Sequence, residues 1–257
     1  MAPVVMGPPY DHGIITTLRQ LAKSNHFVYP HSDHSGKIIE VGTNDSGTII
    51  GPGDAFIIHP DSPIKTGFIR TCDCVPILLS LGRFSAGIHI SNTTELGWRL
   101  SDENFEPISK KVLNRVVQLS GESLDQCKLH IGPCIAGVKP KNGDACSCYG
   151  YTETHNQPDG TDLIRLIQAH HPDVDLEYLF FRENDQDKIY FRWGEIMMRI
   201  FQSLGIKLEN IHNQYNYCTR CNSGWWSNRE FQNTTDPAQR ELYQNSAPSN
   251  LAWITRV

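Results

Sequence analysis

The sequence of 257 residues lacks any apolar run of 18 residues, the length that a transmembrane helix requires. Residues Met1–Tyr10 have neither a basic region nor a long apolar core, so we expect no signal peptide. A large excess of one charge is also missing. The 23 basic and 28 acidic residues give a net charge of −5, which argues against a nucleic-acid or anionic-membrane partner. These absences favour a cytoplasmic protein.

Composition and length indicate a folded chain with a core of its own. Apolar residues make up 39% and charged residues 20%, well above the apolar content of disordered chains. A length near 250 residues allows one large domain without disulfide or metal staples. We predict an α/β (α+β) fold, a single domain over 1–257 with a mixed central sheet flanked by helices.

Hydrophobic periodicity supports this class. The apolar segments 75–81 and 84–90, joined by Gly82-Arg83, predict a β-hairpin. Further strands are predicted at 37–41, 55–59, 129–131 and 251–254. Helices are predicted at 14–23, 104–120, 162–168 and 190–204, the last with Gly205 as its C-terminal cap. Residues 48–50 are too short to assign, and residues 222–250 predict irregular structure.

Cysteine is well represented, at positions 72, 74, 127, 134, 146, 148, 218 and 221. Six of the eight form close pairs, Cys72/Cys74, Cys146/Cys148 and Cys218/Cys221, and two thiolates from one turn can reach one metal ion. A structural zinc site with four cysteine ligands is one interpretation, although a second CxxC pair is missing. The other is that most of the thiols are small buried hydrophobes. A secreted disulfide protein is disfavoured, since the chain is long and we expect no signal peptide in it.

A His/Cys constellation also emerges from the predicted strands. Cys74 lies at the head of one hairpin strand and His89 on the return strand, so their side chains can meet at one end of the sheet. An imidazole from the segment His31-Ser-Asp-His34 would complete a three-ligand site. Two histidines and one cysteine leave a fourth tetrahedral position open, as in catalytic zinc sites. With eleven histidines in the chain, such a triple is easily assembled, and the pattern alone favours exposed or core histidines over a metal site.

Five segments, in order, resemble motifs of one protein family. Arg70–Leu79, RTCDCVPILL, resembles the "ADCxPxLL" segment of the YfiH-like polyphenol oxidase (laccase-domain) family. The other four are HSGKIIEV at 34–41 (family "QVHG…VVEV"), DAFII at 54–58 ("aDALVT"), IGPC at 131–134 ("IGPxI"), and NYCTRC at 216–221 with WWSNRE at 225–230 ("CTxC…FFSYRR"). Members of this family are regarded as purine nucleoside phosphorylases.

The resemblance implies a catalytic metal held by His34, Cys74 and His89, with zinc as the expected ion and copper as the alternative. It implies phosphorolysis of adenosine, inosine or methylthioadenosine, and adenosine deamination as a further activity. The expected partners are thus a purine nucleoside and phosphate, bound by a monomer or weak homodimer. The family's older label, a copper oxidase acting on phenols, is the runner-up. Multicopper oxidation requires many paired HxH motifs, and the sequence has no such set.

Several positions depart from the family pattern. In the family the third ligand immediately precedes "AGWR", whereas seven residues separate His89 from Gly97-Trp98-Arg99. Either an insertion lies here, which we prefer, or Glu95 replaces the histidine. His31 competes with His34 as the first ligand, and Glu230 stands where the family has a second arginine. Loop insertions are predicted near 136–150 and 232–250. These departures motivate a third hypothesis, a non-enzymatic metal-binding module.

The remaining candidate site residues follow from the reaction. Phosphate favours arginine, whose fork donates two hydrogen bonds, and the candidates are Arg229, Arg99 and Arg70. Asp73, between two cysteines, is a candidate catalytic base or a partner of the metal ligands. The tryptophans that could stack on a purine are Trp98, Trp225 and Trp226, although aromatic residues also serve as core.

Overall fold

The computed structural model describes residues 4–10, 14–98, 104–139, 146–152, 160–182, 188–222, 224–238, 241 and 249–256. Its strands are β1 Val4–Tyr10, β2 Phe27–His31, β3 Ile38–Val41, β4 Thr48–Pro52, β5 Ala55–Ile58, β6 Thr66–Thr71, β7 Val75–Leu81, β8 Phe84–Ile90, β9 Lys128–Ile131, β10 Gly150–Thr152, β11 Phe180–Arg182, β12 Lys188–Phe191, β13 Ile211–His212 and β14 Ser249–Thr255. The helices are α1 Ile14–Ala22, α2 Asn92–Leu96, α3 Ile108–Ser120, α4 Gly160–His170, α5 Trp193–Ser203 and α6 Asn228–Asn233. Within these described residues, no helix is long and apolar enough to cross a membrane.

The strands of the described chain form three sheets. One has five strands in the order β1-β14-β6-β2-β4, and a second has six in the order β13-β9-β7-β8-β5-β3. Strands β10, β12 and β11 form a third, smaller sheet. Both larger sheets contain parallel and antiparallel pairs of strands. Examples are the parallel pair β2–β4 and the antiparallel pair β7–β8. The α/β class with mixed sheets is confirmed, with the strands divided among sheets.

The two larger sheets pack face to face, and helices cover their outer faces. Val28, Ile69 and Ala252 of the five-stranded sheet share one apolar cluster with Phe56 and Leu78 of the six-stranded sheet. The outer face of the six-stranded sheet packs on α3 and α5, in a cluster that includes Ile77, Ile88, Val112, Val116, Ile196 and Ile200. Leu18 of α1 packs on the outer face of the other sheet, with Phe27 and Phe68. The result is a helix–sheet–sheet–helix arrangement.

The chain alternates between the two large sheets from β2 to β7, which places several crossings at one end. The segment between β2 and β3 carries His34, the segment before β5 carries Asp54, and the segment between β6 and β7 carries Cys72, Asp73 and Cys74. The segments that cross between sheets are not part of regular strand pairing. Their side chains can therefore point into a shared space. The candidate site lies there.

Most predicted elements are confirmed, and the β7–β8 hairpin has the expected antiparallel register, with Leu81 opposite Phe84. Two predicted helix starts are wrong. Helix α3 begins at Ile108 rather than 104, because Pro107 is its cap and a residue before proline avoids helical geometry. Residues 188–191 form strand β12 rather than the start of helix 190–204. A strand at 48–52 and a helix at 228–233 also occur where none was predicted.

Parts of the predicted loop insertions lie outside the described residues, namely 140–145, 239–240 and 242–248. The described part of the first insertion contains Cys146, Cys148 and the start of β10. The domain boundary 1–257 stays a prediction.

Candidate metal centre and adjoining cavities

Side chains from three segments meet at the end of the hairpin. A nitrogen of His34, the sulfur of Cys74 and a nitrogen of His89 all lie within 4.8 Å of one another. The rings of His34 and His89 are parallel, with centroids 5.2 Å apart and 2° between their planes. His89 is buried on β8, opposite Pro76, while His34 is exposed. One thiolate and two imidazoles at this spacing suit a tetrahedral ion with a fourth position open.

A buried carboxylate, Asp54, organises both histidines. Its Oδ1 atom lies 3.2 Å from His89 Nδ1 and accepts hydrogen bonds from Ser32 Oγ at 2.5 Å and from the His34 backbone N–H at 3.2 Å. The Gly36 N–H donates to Oδ2 at 2.9 Å. With Nδ1 held in this way, His89 presents its other nitrogen, Nε2, to Cys74. This arrangement is the one that orients metal-binding histidines in known sites.

The local backbone around His34 supports the same geometry. His34 adopts a positive φ of 56°, a conformation that few non-glycine residues take. The hydrogen bonds from His34 N and Gly36 N to Asp54 hold this turn. The turn directs the His34 ring back over His89 instead of along β3.

Electrostatics favour charged forms of the cluster. Burial disfavours the Cys74 thiolate, but the charge of His89 and hydrogen bonds from both histidines lower the pKa of Cys74 to about 6. Burial likewise opposes the charge on His89, yet the Cys74 charge and the Asp54 hydrogen bond raise its pKa to about 9. Against the effect of burial, hydrogen bonds from His89, Ser32 and Gly36 lower the pKa of Asp54 to about 2. The protein therefore supplies a thiolate at neutral pH, the form that binds metal.

The two rival ligands, Glu95 and His31, lie outside the cluster of three ligand atoms. Glu95 is fully buried, accepts hydrogen bonds from the Ser109 backbone and hydroxyl, and lies 3.0 Å from His171 Nε2. Its carboxylate therefore joins α2 to α3 rather than His34 and Cys74. His31 is exposed at the end of β2, and among the described residues it does not belong to the cluster of three ligand atoms. The role of His34, Cys74 and His89 as metal ligands stays a prediction.

A cavity of about 450 Å³ opens beside this centre. His34 and Cys74 lie on one side, and four aromatic residues, Trp98, Tyr149, Tyr151 and Trp193, line much of the remainder. Polar groups of Ser91, Asn92 and Arg229 also face it. Concave, largely aromatic sites with a few polar groups are typical of small-molecule binding.

The aromatic wall is fixed by a closed ring of hydrogen bonds. The Asn92 amide donates to Tyr151 Oη at 3.1 Å, Tyr151 donates to Tyr149 Oη at 2.8 Å, and Tyr149 donates to Asn92 Oδ1 at 2.7 Å. Burial raises the pKa of both tyrosines, so each remains a donor at neutral pH. The wall therefore presents fixed ring faces.

Arg229 lies over this wall. Its guanidinium is 5.3 Å from the centroid of the Tyr149 ring and 5.7 Å from that of Tyr151. Nη1 donates to the Cys148 carbonyl at 3.2 Å and to the Gly150 carbonyl at 3.5 Å. A guanidinium has five N–H donors, so the remaining donors can bind an anion in the cavity.

A second cavity, of about 370 Å³, adjoins the same centre. Arg70, Tyr29 and His31 line it together with His34, Cys74 and His89. The Arg70 Nε–H donates to the Ser249 hydroxyl. Arg99, the third arginine candidate, lies outside the described residues. Of the three, the structure thus places Arg229 and Arg70 in two different cavities that both border the cluster.

Each carboxylate oxygen of Asp73 accepts one hydrogen bond. Thr219 Oγ1 donates to Oδ1 at 2.8 Å, and the Arg229 backbone N–H donates to Oδ2 at 2.8 Å. Asp73 therefore fixes the start of α6 next to the cavity. These contacts give Asp73 a positioning role, and because it also lines both cavities its role as a catalytic base stays a prediction.

The three tryptophan candidates differ in whether they line a cavity. Trp98 lines the larger cavity and contacts Tyr151 edge to face, with ring centroids 5.9 Å apart. Trp225 stacks on Tyr217 and packs against the inter-sheet core. The Trp226 backbone N–H donates to Asn250 Oδ1 and its carbonyl accepts from the same amide. Neither of these two lines the cavities described here.

Sequence reasoning missed Asp54, Ser32, Asn92 and Trp193. Asp54 belonged to a segment that matched the family, but nothing in the motif linked its carboxylate to a histidine 35 residues away. A charged residue directly before a fully apolar strand was the available signal. Asn92 and Trp193 gave no signal.

Comparison with known proteins identifies the family. The family model described as multi-copper polyphenol oxidoreductase laccase matches residues 14–236. Bacillus licheniformis YfiH has a similar structure, with TM-score 0.66 and 16% identity over 94% of this chain and 79% of that one. Geobacillus stearothermophilus YlmD matches with TM-score 0.67 and 14% identity over 100% and 91%.

A third structure, from Neisseria meningitidis, has TM-score 0.62 and 13% identity over 95% of this chain and 80% of that one. No curated protein sequence gives a significant match. At these identities the solved structures show a shared fold, and the family model spans most of the sequence. The chain therefore belongs to the multi-copper polyphenol oxidoreductase laccase family, the group that contains the YfiH-like proteins.

Proposed function

We propose that this protein is a metal-dependent purine nucleoside phosphorylase that acts on adenosine, inosine or methylthioadenosine. The observation that carries the proposal is that two members of the His34–Cys74–His89 cluster, His34 and Cys74, line an aromatic-walled cavity that Arg229 also lines. A metal centre, an anion-binding group and flat apolar surfaces thereby face one space. In the proposed reaction all three would be used.

The donor set fits a zinc ion. One sulfur and two nitrogen atoms converge, Asp54 orients the ring of His89, and the thiol of Cys74 ionises readily. When bound, the ion would supply Lewis acidity to an oxygen of the phosphate or the sugar. The remaining work falls to residues of the chain.

Arg229 would bind and orient the phosphate. Its guanidinium is held by two backbone carbonyls and by the faces of two tyrosines, so little side-chain freedom is lost when an anion binds. Bidentate arginine contacts give phosphate both charge neutralisation and direction.

The aromatic wall would hold the purine. Trp98, Tyr149 and Tyr151 offer apolar ring surface, and the hydrogen-bonded ring through Asn92 prevents the tyrosines from turning away. In the reaction an oxygen of phosphate bonds to the anomeric carbon while the carbon–nitrogen bond breaks. The bonding pair goes to the purine nitrogen, which takes the acidic proton of the phosphate. The products are a sugar 1-phosphate and the free base.

The test is product analysis on zinc-loaded protein with inosine, adenosine and methylthioadenosine, each with and without phosphate. We expect release of free base that depends on phosphate. Inosine formed from adenosine, with or without phosphate, would instead indicate deamination by attack of water on the purine. Oxidation of a phenol by the copper-loaded protein would support the copper oxidase alternative. Metal binding without turnover of any substrate would support a non-enzymatic module.

The Arg229→Lys variant tests the proposed role of Arg229 in phosphate binding. Loss of the guanidinium fork should raise the KM for phosphate by about tenfold or more and leave the KM for the nucleoside nearly unchanged. Arg115→Lys is the matched control, because Arg115 pairs with Glu40 on the surface, away from the cavity. Equal effects of both substitutions would contradict the role of Arg229.

The same proposal includes the setting of the reaction. A cytoplasmic location fits the eight free cysteines, since reduced thiols persist in a reducing compartment. The proposed ligands are a purine nucleoside and phosphate, and the proposed state is a monomer or weak homodimer.

A further inference from the structure

Four cysteines outside the His/Cys centre come together in space. Cys146 Sγ lies 3.3 Å from Cys218 Sγ and 3.4 Å from Cys221 Sγ, and Cys148 Sγ lies 3.2 Å from Cys221 Sγ. All four sulfur atoms lie within 4.8 Å of one another. The sequence supplies them as a CxC pair before β10 and a CxxC pair before α6, which are distant along the chain.

These distances match a tetrahedral thiolate site. A zinc ion bound to four sulfurs at about 2.3 Å requires sulfur–sulfur separations of about 3.8 Å, within the range that the cluster spans. A disulfide requires about 2.05 Å, and all four thiols are free. A cluster of several irons would need sulfurs farther apart than these. The geometry therefore favours a single ion.

The four cysteines form a site that is largely shielded from solvent. Cys146 and Cys218 are buried, and Cys148 and Cys221 are half-buried. The Asn222 backbone N–H and side-chain amide both donate to the Cys218 carbonyl, at 3.2 and 2.9 Å, and close the turn that brings Cys221 beside Cys218. Such turns present two thiolates to one ion. Four protein ligands leave no position for substrate, which distinguishes a structural zinc site from a catalytic one.

We propose that Cys146, Cys148, Cys218 and Cys221 bind a second metal ion, a structural zinc that fixes the wall of the substrate cavity. The CxC half leads directly into Tyr149 and Tyr151, and the Cys148 carbonyl accepts the hydrogen bond from Arg229. On the CxxC half, Thr219 donates to Asp73, the neighbour of Cys74. The ion thus joins the two segments that position the aromatic wall. The inference does not depend on which reaction the cavity performs.

Metal content tests the proposal. Protein purified under reducing conditions with zinc should contain two zinc ions per chain by elemental mass spectrometry. Cys74→Ser and the double variant Cys218→Ser/Cys221→Ser should each contain one. Cys127→Ser is the matched control, because Cys127 is also buried but lies outside both clusters, and it should retain two.

A spectroscopic measurement covers the case in which the double variant does not fold. In Cys74→Ser protein the four-cysteine cluster is intact, and X-ray absorption at the zinc edge should show four sulfur ligands at about 2.3 Å. Metal removal from this protein should also speed amide hydrogen exchange at 146–152 and 216–222 by about tenfold or more. Cys74→Ser protein without metal, iron in place of zinc, or two disulfides among these four cysteines would each overturn the proposal.

Discussion

At the scale of single residues, Asp54 accounts for the shape of the His/Cys centre. One carboxylate binds the ring of His89 and the backbone of the turn that carries His34, so a ligand on a strand and a ligand on a connecting turn share one anchor. The anchor is fully buried and cannot be replaced by water. Removing its charge should therefore affect the metal site before the fold.

Asp54→Asn should weaken zinc binding at the His/Cys centre by about 10- to 100-fold, as loss of a carboxylate behind a metal-binding histidine does. The affinity is measured by competition with a chromophoric chelator, and the binding step that Cys74→Ser abolishes identifies the site. Asp33→Asn is the control, because Asp33 is exposed in the same turn and its carboxylate accepts hydrogen bonds from the backbone and hydroxyl of Ser35. Unchanged affinity in Asp54→Asn would show that the histidines need no anchor.

At the scale of elements, the short parallel pair of β9 and β13 places two histidines side by side. His130 on β9 is opposite His212 on β13, and their rings stack with centroids 4.5 Å apart. Burial, and then the charge of His212, lower the pKa of His130 to about 4. An unfolded histidine titrates near 6.5. The folded protein thus binds fewer protons than the unfolded chain between these values.

This difference predicts a pH-dependent stability. The contribution of a neutral His130 is complete above pH 6.5 and is lost as the pH falls toward 4, because the unfolded chain gains the proton first. Between pH 6.5 and 4.5 the free energy of unfolding should fall more steeply in the wild type than in His130→Asn, by about 2 kcal/mol. Urea denaturation at each pH measures it, with exposed His26→Gln as the control. Identical slopes in wild type and His130→Asn would contradict the shift.

Elements also show why some of the fold was predictable from sequence. The β7–β8 hairpin is local, with two apolar strands and a Gly82 turn, and its pattern was sufficient. Strand β12 was mistaken for helix because KIYF is too short for periodicity to decide, and pairing with β10 and β11 determines its structure. Strands β1 and β6 were missed, since they pair with the distant β14. Long-range pairing leaves no local signal.

The residues of the candidate site also differ in whether the sequence could predict them. Cys74 and His89 could be brought together from hairpin geometry, and the family resemblance added His34. Asp54 and the cysteine cluster depend on segments far apart in sequence that meet only in the folded chain. The CxC pair also failed to match the spacing of known zinc motifs, so the sequence favoured buried thiols instead.

At the scale of the whole molecule, the metal centre depends on how closely the two large sheets approach. Phe56 of β5 fills the space between them, and a Cβ atom added at Gly67 of β6 or at Gly87 of β8 would overlap its ring. Both glycines are therefore required by close approach rather than by an unusual backbone conformation. The same sheet spacing determines where β6 crosses to β7 and delivers Cys74.

Gly67→Ala should destabilise the protein by about 1–3 kcal/mol, the usual effect of overpacking a dense core. Urea denaturation measures the change, and Gly224→Ala is the control, because a Cβ atom there meets nothing within 4 Å. Adding Phe56→Leu should recover part of the loss, since the smaller side chain leaves room for the new methyl group. The free energy of unfolding of the double variant should thus be higher than the sum of the two single effects predicts. Additive effects, or a Gly67→Ala protein as stable as Gly224→Ala, would mean that the sheets can separate without strain and that Phe56 does not determine their spacing.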